Sequence, residues 1–128
     1  MNSLYVGIGG AIGSVARYHL EGWVQARLGP QFPFGTLAVN VLGSFLLALV
    51  MFVGLRTEAI PPTVRIALST GVMGGFTTYS TFNYETLQLA QDGAWALCAL
   101  NIAATVAGCL AAGALGWACG RFLVGPGQ

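Results

Sequence analysis

Thr36, Asn40 and Ser44 recur every four residues, and so do Asn101, Thr105 and Cys109. Between the two series lies Gly71–Glu85, where three glycines (Gly71, Gly74, Gly75) and five aliphatic hydroxyl or carboxyl side chains (Thr77, Thr78, Ser80, Thr81, Glu85) interrupt apolar sequence. Residues four apart share one helix face, so each series is a stripe of neutral hydrogen-bonding groups. Tyr79 and Phe82 are three apart, and their rings project from one face. An aromatic ring has a positive edge and a negative face. Ring edges beside neutral donors such as Thr36, Asn40, Ser44, Ser80, Asn101 and Thr105 suit a small, strongly hydrogen-bonding anion. Gly74-Gly75 costs roughly 1 kcal/mol of helix propensity per residue. A break there frees backbone carbonyls, which suit a small cation. The residues are thus consistent with an anion path beside a structural cation, without naming either ion. The plainer reading of the stripes is inter-helix hydrogen bonding, worth about 0.6–2 kcal/mol per contact.

The elements that would carry these groups follow from composition. Hydrophobic residues make up 55% of the 128 and charged residues 7%, against about 25% charged in soluble domains. A fold this small cannot hide so much apolar surface. The chain is expected to be a single all-α integral membrane domain spanning residues 1–128. A β-barrel would need alternating segments, and the apolar runs here are unbroken. There is no basic patch, so no nucleic acid partner is expected. No cleaved signal peptide is read at the N-terminus. Enzyme chemistry is not expected either. His19 is the only histidine, no serine has a histidine base at hand, and Cys98, Cys109 and Cys119 have neither disulfide nor metal-site spacing.

Four transmembrane helices are predicted, at about 4–27, 35–55, 63–90 and 95–123. In the first, Gly9-x-x-x-Gly13 permits close helix approach, and Arg17 has Glu21 as its i+4 neighbour. Tyr5 and Trp23 stand about 27 Å apart on a helix rising ~1.5 Å per residue, one bilayer core with an aromatic anchor at each end. Gly29, Pro30 and Pro33 mark a loop over Arg27–Phe34. The second helix carries the stripe Thr36, Asn40, Ser44, which must face inward. Pro61 and Pro62 suit the start of the third helix, whose centre is the glycine- and hydroxyl-rich run. It is predicted to break in mid-membrane from Gly74 to Thr77 and to rewind at Tyr79 to Phe82, a geometry tolerated where freed carbonyls meet protein, water or ions. After a turn at Gln91–Ala94, the fourth helix runs between Trp95 and Trp117 with a small-residue ridge of Gly108, Ala112, Gly116 and Gly120. The tail Gly125–Gln128 is expected to be disordered.

Charge does not fix orientation. Arg56, Arg65 and Arg121 fall on one side, Arg17 and Arg27 on the other. The positive-inside rule needs a clearer excess. A weak signal settled by a partner and insertion in both orientations, with two copies pairing antiparallel, are equally open on this count. Three functional classes remain at this level: an anion path, a proton-coupled small-cation or multidrug exporter of the four-helix type using Glu85 (or, less well, Glu21), and a non-transporting assembly subunit.

The motifs Gly9-Gly10-x-x-Gly13-x-x-x-Arg17-Tyr18, Gly35-Thr36-Leu37-x-x-Asn40-x-x-Gly43 and Gly71-x-x-Gly74-Gly75-x-Thr77-Thr78-Tyr79-Ser80-Thr81-Phe82-x-x-Glu85 together resemble the small fluoride channel family called Fluc or CrcB. The resemblance covers nearly the whole chain. It implies a dual-topology homodimer, two copies antiparallel with two pores, in the bacterial inner membrane as a multi-pass protein. Such a dimer passively releases fluoride. It implies a sodium ion at the dimer centre, held by the carbonyls of Gly74 and Thr77 in each copy. The family's pore positions fall on Asn40, on the aromatic pair Tyr79 and Phe82, on the fourth-helix track Thr105 and Cys109, and on Arg17 at the mouth. Thr36 and Ser80 join this pathway as neutral donors. The family usually has Phe at Tyr79 and often Ser at Cys109.

Overall fold

The computed structural model describes residues 1–125; the expected tail, Gly125–Gln128, lies outside the described residues from position 126 onward. Every regular element among them is helical and none is a strand: α1 (Asn2–Leu28), α2 (Phe34–Arg56), α3 (Pro62–Ile66), a π-helical segment (Ala67–Met73), α4 (Gly74–Phe76), α5 (Tyr79–Gln91) and α6 (Trp95–Val124). Helices α2 and α6 are each long and apolar enough to cross a membrane. Helix α6 carries Leu110, Leu115, Phe122 and Leu123 on exposed positions. An apolar surface of this extent meets lipid or another protein rather than water.

The turns reflect the local chemistry. Helix α1 ends at Gly29, whose φ of 92° favours glycine. The Gln25 side chain then pins the connection to α2. Its Nε2 donates to Gly29 O (2.6 Å) and Phe32 O (2.9 Å), and its Oε1 accepts from Gly35 N (3.0 Å). Pro62 occupies the first turn of α3, where its missing N–H costs nothing. Helix α5 closes at Gly93, φ 73°, with Ala94 N donating back to Leu89 O at 2.8 Å.

Two packing seams build the body. Helices α2 and α6 share the most extensive one. The small-residue ridge of α6 makes it possible: a Cβ on Gly120 would lie 2.8 Å from Phe52 Cδ1, and one on Gly116 would strike the Phe45 carbonyl. The second seam joins α1 to the π-helical segment and α4. A Cβ on Gly9 would sit 2.6 Å from Ala67 O, one on Gly13 would strike Val72 O, and one on Gly75 would strike Gly10 O. Close backbone approach between helices is the use such glycines have in membrane proteins.

That use corrects one expectation. The break predicted from Gly74 to Thr77 does not begin at the glycines, because Gly74 and Gly75 stay helical in α4. The chain leaves the helix at Thr77 (φ −88°, ψ 156°) and Thr78 (φ −149°, ψ 112°), both extended. Gly75 serves the approach of α1 instead. The π-helical segment before it was not anticipated either.

Candidate functional site

The interruption at Thr77–Thr78 is held by a side chain from α2. Asn40 Nδ2 donates to Thr78 O at 3.0 Å, and Thr78 N donates to Asn40 Oδ1 at 2.8 Å, both buried. One amide side chain thus replaces the pairing a helix would have supplied to Thr78. Thr78 also starts α5: its Oγ1 accepts from Thr81 N (3.3 Å) and donates to Thr81 Oγ1 (2.9 Å), the role of an N-cap threonine.

These bonds decide which carbonyls are freed. In a continuous helix, Gly74 O would accept from Thr78 N and Thr77 O from Thr81 N, by the i to i−4 rule. Thr78 N goes to Asn40, and Thr81 N goes to the Thr78 hydroxyl. Gly74 and Thr77 therefore lose their helical partners. Gly75 O does not stay free, since Arg17 Nε donates to it at 3.1 Å. Gly74 is exposed, and nothing lies within 4 Å of a Cβ built on it. No group of three or more His, Cys, Asp or Glu suited to a metal occurs among the described residues.

Beside the interruption lies a groove of about 410 Å³, lined by Asn40 and Ser44 of α2, Thr77 and Thr78, Tyr79 and Phe82 of α5, and Thr105 and Cys109 of α6, with Leu47, Val106 and Leu110 as its apolar wall. Gly43 completes it; a Cβ there would strike Thr77 Cγ2. The Tyr79 and Phe82 rings meet edge-to-face, 5.5 Å between centroids at 60°. Phe82 is buried, whereas Tyr79 is 78% exposed. Among the described residues, no carboxylate, histidine or cationic side chain lines this groove. Ser44 Oγ donates to Asn40 O at 2.7 Å, so its proton is spent. Asn40 keeps a second amide N–H, because a primary amide has two.

A second cavity, about 550 Å³, has the opposite character: Arg17, Glu21, Gln25, Glu85, Gln88 and Asp92 are among its lining. Arg17 and Glu21 are 3.8 Å apart. Thr36 Oγ1 donates to Glu85 Oε1 at 2.8 Å. The other oxygen, Glu85 Oε2, is buried with no hydrogen-bond partner among the described residues.

The structure thus gathers Asn40, Tyr79, Phe82, Thr105 and Cys109, with Thr77, around one groove, and leaves Arg17, Thr36, Ser80 and Gly74 outside its lining. Arg17 lines the charged cavity and Thr36 bonds into it through Glu85. Ser80 is exposed, with its Oγ 3.5 Å from Thr78 Oγ1. Thr78, one of the hydroxyls of the Gly71–Glu85 run, carried no assigned role from sequence, and Gln25 was not singled out. A threonine opening a helix is an N-cap signal and points to Thr78. Nothing local points to Gln25.

The family model described as "CrcB-like protein, Camphor Resistance (CrcB)" matches residues 4–117. The chain belongs to the CrcB-like family. Its relatives include the "Fluoride-specific ion channel FluC" of Sorangium cellulosum (strain So ce56), 53% identical over 120 residues, 94% of this chain and 94% of the relative. The protein of the same name from Anaeromyxobacter dehalogenans (strain 2CP-1 / ATCC BAA-258) is 58% identical over 109 residues, 85% of this chain and 86% of the relative. That of Syntrophotalea carbinolica (strain DSM 2380 / NBRC 103641 / GraBd1) is 50% identical over 102 residues, 80% and 83%. The matched span of this CrcB-like chain contains the interruption and every residue lining both cavities.

Proposed function

We propose that this chain is a fluoride-selective channel, not an enzyme, that passively releases fluoride across the bacterial inner membrane. The observation that carries the reading is the uncharged groove, in which ring edges and neutral donors meet. Fluoride shedding water there exchanges it for the Tyr79 and Phe82 edges, the Thr105 hydroxyl, the Cys109 thiol and the spare Asn40 N–H. Neutral donors hold an anion well enough to admit it and weakly enough to release it. A groove without carboxylate or histidine has no group to couple transport to protons, which disfavours the exporter reading.

In this reading the chain is multi-pass, with four spans: α1, α2, α6, and the path from α3 through α5 taken as one span interrupted in mid-membrane. Two copies pair antiparallel. The exposure of Tyr79 and Gly74 supports this, because a second copy would close the groove and bring two more freed carbonyls to the first pair. Gly74 and Thr77 from both copies then offer four backbone oxygens, the hard donors that a structural Na⁺ takes. The near-balance of arginines across the two sides fits insertion both ways.

Reconstituted protein should release fluoride from liposomes, followed with a fluoride electrode; well-folded protein without efflux refutes the proposal. Exchanging sodium for a large organic cation throughout should abolish efflux, and unchanged efflux removes the ion from the mechanism. A cysteine placed at the N-terminus should be labelled from both sides of the membrane. Labelling from one side only rules out dual topology.

A further inference from the structure

Asn101 belongs to the α6 stripe by spacing, yet it does not line the groove that Thr105 and Cys109 line. It is 1% exposed and one of the most buried side chains in the molecule. Its Nδ2 donates to Thr86 Oγ1 at 2.9 Å, and Thr86 Oγ1 donates to Phe82 O at 2.6 Å. The chain of bonds therefore starts in the core of α6 and ends on the backbone of a residue whose ring walls the groove.

Helix α5 depends on such links. Its helical neighbours are α6 and, more lightly, α2. It buries only two side chains, Phe82 and Thr86. Polar ties make up the difference: Asn40 to Thr78 at its start, Thr36 to Glu85 along one face, and Asn101 to Thr86 along another. The last of these continues through a side-chain hydroxyl to the backbone of Phe82. A threonine hydroxyl bonded back to the carbonyl four residues earlier also bends its helix slightly, so this bond bears on where the Phe82 turn sits.

We propose that Asn101 is a positioning residue for the groove: through Thr86 it sets the place of the Phe82 ring against Tyr79, and thereby the rate at which the anion passes. The inference rests on the fluoride-channel reading. A merely structural role would lower the yield of folded protein and leave the ring and the rate per folded molecule unchanged.

The test uses the full chain in liposomes, with 4-fluorophenylalanine at position 82 as a 19F reporter and efflux normalised to folded protein. Asn101→Leu and Thr86→Val should each shift the 19F resonance and slow efflux about tenfold, roughly the loss of one good buried hydrogen bond in transition-state terms. The double variant should be no slower than either single one, as expected for residues acting through one link. Thr86→Ser, which keeps the hydroxyl, should keep both readouts. Thr86→Val cuts the same link from the other side, so a failure of Asn101→Leu to fold leaves the question decidable. Unchanged resonance and efflux in folded single variants, or effects that multiply in the double variant, overturn the proposal. If the unmodified protein passes no fluoride, the channel reading fails, and the 19F shift alone still decides whether Asn101 places the ring.

Discussion

The two cavities differ in kind, although one helix contributes to both. Helix α5 gives Tyr79 and Phe82 to the groove and Glu85 and Gln88 to the charged cavity. On the groove side every polar group is neutral, and the strongest constraint is the Asn40–Thr78 exchange. On the other side Arg17, Glu21, Glu85 and Asp92 face a larger space, with charges partly matched by each other and by Thr36. In the proposed reading, the difference separates selection in the groove from access through the charged cavity. A charge inside a narrow path would hold an anion or exclude it, whereas charges around a wide cavity act at longer range and can be screened by salt.

If the groove selects, Asn40→Asp should do most damage. It loses the N–H given to Thr78 O and sets a carboxylate beside the anion, so efflux should fall by about a hundredfold or more, equivalent to ~2.7 kcal/mol. Efflux near the unmodified rate would break the assignment of the groove. Thr105→Val removes one neutral donor at constant volume and should slow efflux about fivefold to tenfold. Arg17→Gln acts from the other cavity. It should slow efflux roughly fivefold at low ionic strength and much less at ~1 M salt, where the Debye length is about 3 Å. A loss indifferent to salt would instead mean that the contact with Gly75 O, and not the charge, is what matters. Glu85→Gln keeps an acceptor for Thr36 and should leave efflux within about threefold. Proton flux driven by a bulky cation and lost in this variant would revive the exporter. Tyr79→Phe keeps the ring edge and should change efflux least, by about twofold or less; a larger change would make its hydroxyl a ligand.

The helical class was legible because apolar residues so outnumber charged ones that no soluble core could hold them. The groove was legible in outline because four-residue spacing forces Thr105 and Cys109 onto one face, and three-residue spacing pairs Tyr79 with Phe82. What was hidden depends on partners remote in sequence. The break sits at Thr77–Thr78 because Asn40, 38 residues away, claims the Thr78 backbone. Propensity alone pointed to Gly74-Gly75. Arg17 is placed at the pore mouth by resemblance alone, and its contact with Gly75 O, 58 residues away, is a partner that spacing does not show. Thr36 reads as a groove donor, yet Glu85 takes its proton. Each of these contacts joins residues far apart in sequence, which spacing along a single helix cannot show.

The π-helical segment has a consequence for rotational phase. A π turn accommodates one residue more than an α turn and so rotates the downstream chain by about 100° relative to an uninterrupted α-helix. Upstream, Arg65 reaches the Gly54 carbonyl of α2; Gly71 within the segment and Gly75 downstream of it lie against α1. Ala67–Met73 therefore works as an angular offset that lets one stretch of chain address two neighbours in succession. Removing a single residue from it would turn Gly75, and with it the carbonyls of the interruption, away from the positions that Arg17 and Asn40 hold.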